Sequence, residues 1–286
     1  MVINKQFRRF FSKQYASLLI KLVQTKYWRL FPDIDLSFQF KKYKSPKPNL
    51  LTSDEIWDYY EINGFKFYWP AEFNDSELKW IYKEIFTPHL YNPHAYVTNK
   101  IKINKEEWVL DIGACEGFFT YYALQQNAKV LAIEPVPTLA DALKKTFEKE
   151  ILEGRVIVMN VGIGKVKTTA KLHINNQQVS CSSLGSNTGQ TIPIMTLDDI
   201  FHENIIPAID FIKMDIEGGE IDAINGADEI FKCKPKMSIA VYHSYQNAEE
   251  IKKILLRKKP DYKIFFRGIF YREKGELPRP YMLYAI

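Results

Sequence analysis

Short apolar runs recur through the chain from residue 108 onward, and segments of helical character follow most of them. Five runs read as buried strands: residues 108–112, 129–133, 155–161, 209–215 and 237–242. Alternating strands and helices predict a parallel, doubly wound α/β sheet. Residues 262–266 and 281–286 are two further apolar strands with only a turn-rich segment between them, which predicts an antiparallel pair at one edge. We therefore expect seven strands.

The stretch between the third and fourth strands has a different pattern. It is polar, and residues 168–174 and 191–195 within it read as extra short strands. Insertions at this place commonly build a substrate mouth. Thr196 then precedes a short helix, and Asp198 and Asp199 are interpreted as caps of that helix.

The first strand leads into a glycine turn and then into a helix. Asp111 closes the strand, and Gly113 and Gly117 break the pattern before helical residues resume. Such a turn leaves backbone N–H groups unpaired at a helix start and lets a ligand approach the main chain closely. We expect the turn to bind a nucleotide-like cofactor through Gly113, Ala114, Glu116, Gly117 and Phe118.

The turn also indicates which cofactor is expected. A dinucleotide fingerprint has glycine at its third place, where this chain has Cys115. Asp111 is a poor neighbour for a diphosphate, but it suits S-adenosylmethionine, which carries a sulfonium and an ammonium group. The second strand ends at Glu134-Pro135, at the spacing where an acid takes the ribose hydroxyls of an adenosine. The sequence thus predicts an adenosine site with Glu134 as ribose ligand.

Four motifs in this order resemble the FkbM family of S-adenosylmethionine-dependent methyltransferases. They are residues 111–117, Glu134-Pro135, residues 196–199 and residues 213–220. The resemblance implies the class I methyltransferase (Rossmann-like) fold and O-methylation of sugars, glycans, glycolipids or related hydroxyl-bearing metabolites. Many members have an acid before a His at the end of the fifth strand, whereas this chain has Tyr242-His243. A role for that acid is therefore not carried over.

The resemblance also implies further cofactor contacts. The end of the third strand contacts adenine in such enzymes, which here means Asn160, Val161 and Gly162. Ser182-Ser183 resembles the family's serine pair near the cofactor, and Ser183 is taken as the contact.

The ends of the fourth and fifth strands carry the candidate catalytic groups, Asp215, Glu217 and His243. An aliphatic hydroxyl is a poor nucleophile, so methyl transfer to it calls for alignment and for a base or a metal. His243 is the candidate base, and Asp215 is expected to touch the cofactor as well. As an alternative, Asp215 with Glu217 or His243 would hold a divalent cation such as magnesium.

Composition suggests three regions. Residues 1–49 form a basic, amphipathic segment and linker, residues 50–100 an aromatic-rich accessory or lid region, and residues 101–286 the methyltransferase domain. The basic first 30 residues suit either an anionic membrane surface or packing against another domain. The aromatics of residues 50–100 suit a sugar-binding wall or, as the favoured interpretation, a packed core.

Three scattered cysteines, Cys115, Cys181 and Cys233, favour a reducing compartment over a disulfide framework or a metal site. No apolar stretch reaches the length of a membrane span. We expect a cytoplasmic protein, free or peripheral to the inner face of the membrane. Cys115 is interpreted as a packing residue without chemistry.

Two other enzyme classes compete with this prediction. A nicotinamide-dependent oxidoreductase would use the same sheet, although Cys115 disfavours it. A nucleic-acid-modifying methyltransferase would explain the basic N-terminus, but no recognised nucleic-acid motif supports it and no nucleic-acid partner is expected. A degenerate binding module without catalysis is disfavoured by the acids at the strand ends. Oligomeric state is left open.

Overall fold

The computed structural model describes residues 34–35, 46–179, 182–184, 189–203, 205–244, 246–270 and 279–286. Most of the predicted N-terminal segment, residues 1–33 and 36–45, thus lies outside the described residues. The strands are β1 (Ile34–Asp35), β2 (Asn49–Ser53), β3 (Trp57–Ile62), β4 (Phe65–Pro70), β5 (Trp108–Ile112), β6 (Lys129–Ile133), β7 (Val156–Met159), β8 (Gly162–Ile163), β9 (Thr168–His173), β10 (Ser183–Leu184), β11 (Gln190–Met195), β12 (Phe211–Met214), β13 (Lys236–Ala240), β14 (Ile264–Arg267) and β15 (Met282–Ala285).

The α-helices within these residues are α1 (Leu78–Phe86), α2 (Phe118–Gln125), α3 (Pro137–Thr146), α4 (Glu148–Leu152), α5 (Leu197–His202), α6 (Glu220–Asn225) and α7 (Asn247–Lys258). Short 3-10 helices lie at His89–Tyr91 and Ile230–Cys233. None of the described helices has the length and apolar composition needed to cross a membrane.

The central sheet confirms the predicted α/β class and all seven predicted strands. Its order is β1-β14-β15-β13-β12-β5-β6-β7. Strands β7, β6, β5, β12 and β13 are parallel, and β15 pairs antiparallel with both β13 and β14. The predicted antiparallel pair at one edge is thus β14 and β15, with β15 lying between β13 and β14. An eighth strand, the two-residue β1, pairs parallel with β14 and covers that edge.

The helical segment after β6 is interrupted. Helix α3 ends at Thr146, α4 begins at Glu148, and Phe147 between them has φ −105° and ψ 24°. The Phe147 ring is buried and stacks on Phe65, with the ring centroids 5.9 Å apart. Burial of this aromatic ring against the accessory region accompanies the break in the helix.

Residues 50–100 share their core with the rest of the chain. Strands β2, β3 and β4 form an antiparallel sheet, and β4 packs on α3. Phe65 and Phe67 of β4 contact Phe118 of α2, with ring centroids 6.0 and 5.2 Å apart. Burying an aromatic side chain of this kind stabilises a fold by about 1.5 to 3 kcal/mol. The aromatics of β4 therefore attach this region to the sheet, in agreement with the packing interpretation.

The insertion between the third and fourth predicted strands forms a second sheet, with the order β10-β9-β11-β8. Strands β9 and β11 are the two short strands expected there. Thr196 and Asp199 form a reciprocal capping box at the start of α5. Asp198 accepts backbone N–H bonds from residues 228, 229 and 230. Both acids have structural partners, as predicted.

A buried arginine joins three separate segments at the covered edge of the sheet. Arg267 of β14 is 1% exposed. Its Nη1 lies 2.8 Å from Asp35 Oδ2, its Nε donates to Asn92 O at 3.2 Å, and its Nη2 donates to His89 O. The guanidinium therefore attaches both β1 and residues 89–92 to the central sheet.

Replacing this arginine should destabilise the protein strongly. Arg267→Met removes the buried ion pair with Asp35 and the side-chain donors to the Asn92 and His89 carbonyls, so we expect a loss of about 3 to 5 kcal/mol in the free energy of unfolding. Urea titration followed by circular dichroism measures it. Arg155→Met, at a partly exposed ion pair, is the control and should cost less than about 1 kcal/mol. Equal losses in the two variants would contradict this role of Arg267.

Candidate active site

A cleft of about 1410 Å³ lies at the carboxyl edge of the central sheet. The turns after β5, β6, β12 and β13 line it, together with α1 and the inserted sheet. Ligands bind at this edge in doubly wound folds. The volume exceeds the roughly 300 to 1,000 Å³ of a typical small-molecule pocket. The cleft therefore has space for a cofactor and an acceptor together.

The glycine turn brings two strand ends into contact. Gly113 has φ +79°, and a Cβ atom built on it would lie 2.1 Å from the backbone oxygen of Asp215. Gly117 has φ +84°, and its Cβ would lie 2.7 Å from the Phe147 ring. Cys115 between them adopts φ +46°. Glycine at 113 thus permits the turn after β5 to pack directly on the turn after β12.

Asp111 does not line the cleft, contrary to the position expected for a cofactor contact. It lies within β5, is fully buried and pairs in register with Lys213 of β12. Lys213 Nζ is 3.0 Å from Asp111 Oδ1 and donates to Gly113 O at 2.6 Å, while Thr120 donates to Asp111 Oδ2 at 2.7 Å. A carboxylate within the strand faces its cross-strand partner, so Asp111 supports the turn from behind.

Glu134 lines the cleft and is attached to the glycine turn. Its carboxylate accepts the backbone N–H of Cys115 at 2.9 Å and that of Val136 at 2.8 Å. Asn160 Nδ2 donates to the Glu134 and Pro135 carbonyls at 2.8 and 3.1 Å. Burial raises the pKa of Glu134 to about 7, against the lowering effect of the two N–H bonds. The side chain is thus fixed beside the glycine turn, and its role as a ribose ligand stays a prediction.

Glu116 is a second buried acid, and it lies in the same half of the cleft as Glu134, beside the glycine turn. It is 5% exposed, and its Oε2 atom has no hydrogen-bond partner within the described residues. Burial raises the pKa of Glu116 to about 7. Burial also raises the pKa of the neighbouring Cys115 thiol well above its usual value, which disfavours a reactive thiolate.

The structure divides the predicted cofactor residues into two groups. Those lining the cleft are Gly113, Ala114, Glu116, Glu134, Pro135, Val161, Gly162 and Asp215. Those behind it are Asp111, Gly117, Phe118 and Asn160, which are absent from the lining. The side chain of Ser183 lies outside the described residues, whereas Ser182 lines the cleft.

The predicted catalytic residues meet at the other half of the cleft. His243 Nε2 lies 3.3 Å from Asp215 Oδ1 and 3.6 Å from Glu217 Oε1, and its Nδ1 lies 3.1 Å from Glu220 Oε1. The imidazole ring therefore has acids on both of its nitrogen sides.

These acids decide the charge of His243. Burial disfavours the imidazolium, but Asp215, Glu217 and Glu220 raise the pKa of His243 to about 12. The same ring, together with His94 and Lys213, lowers the pKa of Asp215 below its usual value despite its burial. His243 is thus the counter-ion of the acids, and this charge state opposes its predicted role as base.

Asp215, Glu217 and His243 offer ligand atoms within 4.8 Å of one another, a spacing that could hold a metal ion. Carboxylates suit magnesium, but an imidazole binds a metal only through an unprotonated nitrogen. The proton that the three acids hold on His243 competes with a cation at this position.

Sequence reasoning missed the groups that residues 84–96 bring to this point. Tyr96 is buried and donates to Asp215 Oδ2 at 2.5 Å. His94 Nε2 lies 3.9 Å from the same oxygen, and His94 Nδ1 pairs with Glu84. His94 and Tyr96 were visible only as members of an aromatic-rich segment. Local pattern does not show that this segment meets the end of β12, more than 100 residues later.

A model of the FkbM methyltransferase domain matches residues 111–264, which is more than half of the chain. This match includes the glycine turn, Glu134 and the Asp215 turn described above. The chain belongs to the FkbM methyltransferase family. The family resemblance of the sequence motifs and the methyltransferase class are thereby confirmed.

Curated relatives of this FkbM-family chain are also named as methyltransferases. Methyltransferase sdnD of Sordaria araneosa is 23% identical over 217 residues, covering 64% of this chain and 76% of that protein. The 31-O-demethyl-FK506 methyltransferase FkbM of Streptomyces tacrolimicus is 23% identical over 211 residues, covering 62% and 79%.

A solved structure agrees with the fold. Methyltransferase FkbM from Methylobacillus flagellatus KT superposes with a TM-score of 0.51 at 24% identity. The match covers 72% of this chain but spans only about half of that chain's length, 49%. The class I methyltransferase fold expected from the sequence is confirmed.

The contact between the two turns of this FkbM-family chain can be tested at Gly113. Gly113→Ala would place a methyl group against the Asp215 carbonyl, so we expect a loss of about 3 kcal/mol or more in the free energy of unfolding. Gly64→Ala is the control, because Gly64 has φ +84° but nothing within 4 Å of its Cβ. It should cost only about 1 to 2 kcal/mol. Chemical denaturation of both variants gives the comparison, and equal costs would remove the proposed contact.

Proposed function

We propose that this protein is an S-adenosylmethionine-dependent O-methyltransferase acting on a hydroxyl of a sugar, glycan, glycolipid or related metabolite. The proposal rests on one observation: two different groups of side chains line the same cleft. One half has buried acids beside a glycine turn, and the other has a fixed group of charged and hydroxyl-bearing side chains around Asp215. Family membership supplies the methyl-transfer chemistry.

The first half suits the methyl donor. Glu134 Oε2 accepts the Cys115 N–H of the glycine turn and Oε1 accepts the Val136 N–H, and each oxygen keeps acceptor capacity for a ribose hydroxyl. Glu116 offers a buried oxygen that has no hydrogen-bond partner in the described part of the chain, which favours a positively charged group. Val161 and Gly162 line the cleft at the position proposed for adenine. When bound, S-adenosylmethionine supplies a methyl group on a sulfonium, and these residues orient it.

The second half suits an acceptor hydroxyl. Asp215 lies where the β5 and β12 turns meet, and its carboxylate is kept ionised and fixed by Tyr96 and His243. Trp80 stands at the rim, 57% exposed, and offers a flat apolar face of the kind that sugar rings contact. The name of one relative, 31-O-demethyl-FK506 methyltransferase, supports an oxygen as the methyl acceptor.

Three further parts of the proposal concern membrane contact, the cellular compartment and a metal ion. Residues 1–30, which fall outside the described residues, are proposed to contact anionic membrane, and vesicle co-sedimentation with and without them tests it. The cytoplasm is the proposed compartment, and no nucleic-acid partner is proposed.

Magnesium at Asp215, Glu217 and His243 is the second candidate cofactor, supported by the spacing of their ligand atoms.

Calorimetry and a transfer assay test the proposal together. S-adenosylmethionine should bind with a stoichiometry near one, while a nicotinamide dinucleotide should not compete. Labelled methyl donor is then supplied with extracts of surface glycans and small hydroxyl compounds, with and without a chelator. Binding of the dinucleotide alone would favour the oxidoreductase alternative. If a chelator abolishes methyl transfer, the result would support a magnesium ion at this site.

The affinity for S-adenosylmethionine should depend on pH. Burial raises the pKa of Glu116 and of Glu134 to about 7, so both carboxyl groups gain negative charge as pH rises through neutrality. A cation then binds more tightly at higher pH. For one such group the dissociation constant should fall about tenfold between pH 6 and pH 8. Titration calorimetry at the two values measures it, and an unchanged affinity would separate these acids from the donor.

Glu134→Gln should weaken donor binding by about 10- to 100-fold, which corresponds to the loss of charged hydrogen bonds worth about 1.5 to 3 kcal/mol. Asp222→Asn is the matched control, because Asp222 lines the same cleft at its α6 side. It should leave the dissociation constant within about twofold. Equal weakening in both variants would show a general charge effect and contradict Glu134 as ribose ligand.

A further inference from the structure

His94 is a buried histidine whose Nδ1 pairs with an acid and whose Nε2, within the part of the chain that the structure describes, makes no hydrogen bond. It is 3% exposed and lines the cleft. Its Nδ1 pairs with Glu84, while its Nε2 has no hydrogen-bond partner among the described residues. Nε2 lies 3.9 Å from Asp215 Oδ2, at the point where the two strand-end turns meet. An unpaired nitrogen at this depth calls for a polar ligand.

The pair of His94 and Glu84 is held by the backbone around it. Asn92 is buried, donates from Nδ2 to Glu84 O at 2.6 Å and accepts the His94 N–H on Oδ1 at 2.9 Å. The His94 ring packs against the rings of Tyr96, Tyr242 and Tyr281, with centroids 5.1, 5.1 and 5.4 Å away. These contacts fix where the ring lies and which way its nitrogens point.

This arrangement has the parts of an oriented general base. A carboxylate that accepts Nδ1–H fixes the tautomer in which Nε2 carries the lone pair. His243 has acids within 3.6 Å of both of its nitrogens. Among the described residues, His94 combines a carboxylate paired at Nδ1 with an Nε2 whose nearest acid oxygen, Asp215 Oδ2, is 3.9 Å away.

We propose that His94, oriented by Glu84, accepts the proton of the acceptor hydroxyl during methyl transfer. The inference rests on the proposed function. The acceptor oxygen forms a bond to the methyl carbon, the bond from that carbon to the sulfonium sulfur breaks, and its electron pair remains on sulfur as a neutral thioether. The hydroxyl proton moves to His94 Nε2 and afterwards leaves to solvent. Atoms and charge balance without a further reactant.

The groups facing His94 set the direction of its pH dependence. They are Glu84, Asp215, His243, Tyr96, Tyr242 and Tyr281. Burial favours the neutral ring, but Glu84 and Asp215 raise the pKa of His94 above its usual value. A base works only when unprotonated, so the rate should rise with pH through the pKa of His94. Removing the Glu84 charge lowers that pKa and should move the rise to lower pH.

Pre-steady-state methyl transfer across pH, with the acceptor found in the screen, tests the inference in the full-length protein. His94→Ala should lower the rate of the transfer step by about 10²- to 10⁴-fold and remove the rise with pH. Added imidazole should restore part of the rate. Glu84→Gln should retain a rise shifted to lower pH. His89→Ala is the control, because His89 lies on the same segment but does not line this cleft.

Donor affinity, measured by calorimetry in each variant, separates a folding defect from a chemical one and should stay within about twofold of wild type. His94→Gln provides a second, polar replacement should the alanine variant fail to bind the donor. A wild-type protein that transfers no methyl group would defeat the proposed function. A His94→Gln variant that transfers at the wild-type rate with the same pH profile would defeat only the role of His94.

Discussion

The close approach of two backbone turns at the carboxyl edge of the sheet is the constraint on which the site depends. Gly113 follows β5 and Asp215 follows β12, and no side chain fits between them, as the 2.1 Å gap to a built Cβ shows. The buried pair of Asp111 and Lys213 holds the same two strands from below, with Lys213 also bound to the Gly113 carbonyl. Because of this contact, groups that follow different strands share one cleft.

The acids of the cleft divide into two electrostatic settings. Glu116 and Glu134 are buried, and desolvation raises their pKa values to about 7. Asp215 is held by Tyr96 and lies beside His243, and its pKa is lowered. A bound cation would stabilise the buried carboxylates of Glu116 and Glu134. The group around Asp215 already contains a positive charge, that of His243. The two halves of the cleft are therefore distinguished by their electrostatic surroundings although both contain carboxylates.

The local hydrophobic pattern of the sequence was enough to predict the strands of the central sheet beyond β1 and most of the residues of the cleft. Seven of the eight strands of the central sheet were predicted from apolar runs, and the glycine turn, Glu134 and Asp215 lie where strand ends converge. Asp111 shows the limit of that reasoning, because one position within a strand decides whether a side chain faces the cleft or a neighbouring strand. The position of β15 inside the sheet depends on pairing between distant segments, which periodicity does not encode.

The residues around Asp215 come from two different parts of the chain. The family model begins at residue 111, yet Glu84, His94 and Tyr96 precede it and still reach the cleft. Their position depends on Asn92, which bridges Glu84 and His94, and on Arg267, which binds the Asn92 carbonyl from the sheet edge. The part of the chain that the family model matches thus builds the half of the cleft proposed for the methyl donor. The segment before it completes the half proposed for the acceptor, and on that proposal acceptor choice should follow residues outside the family match.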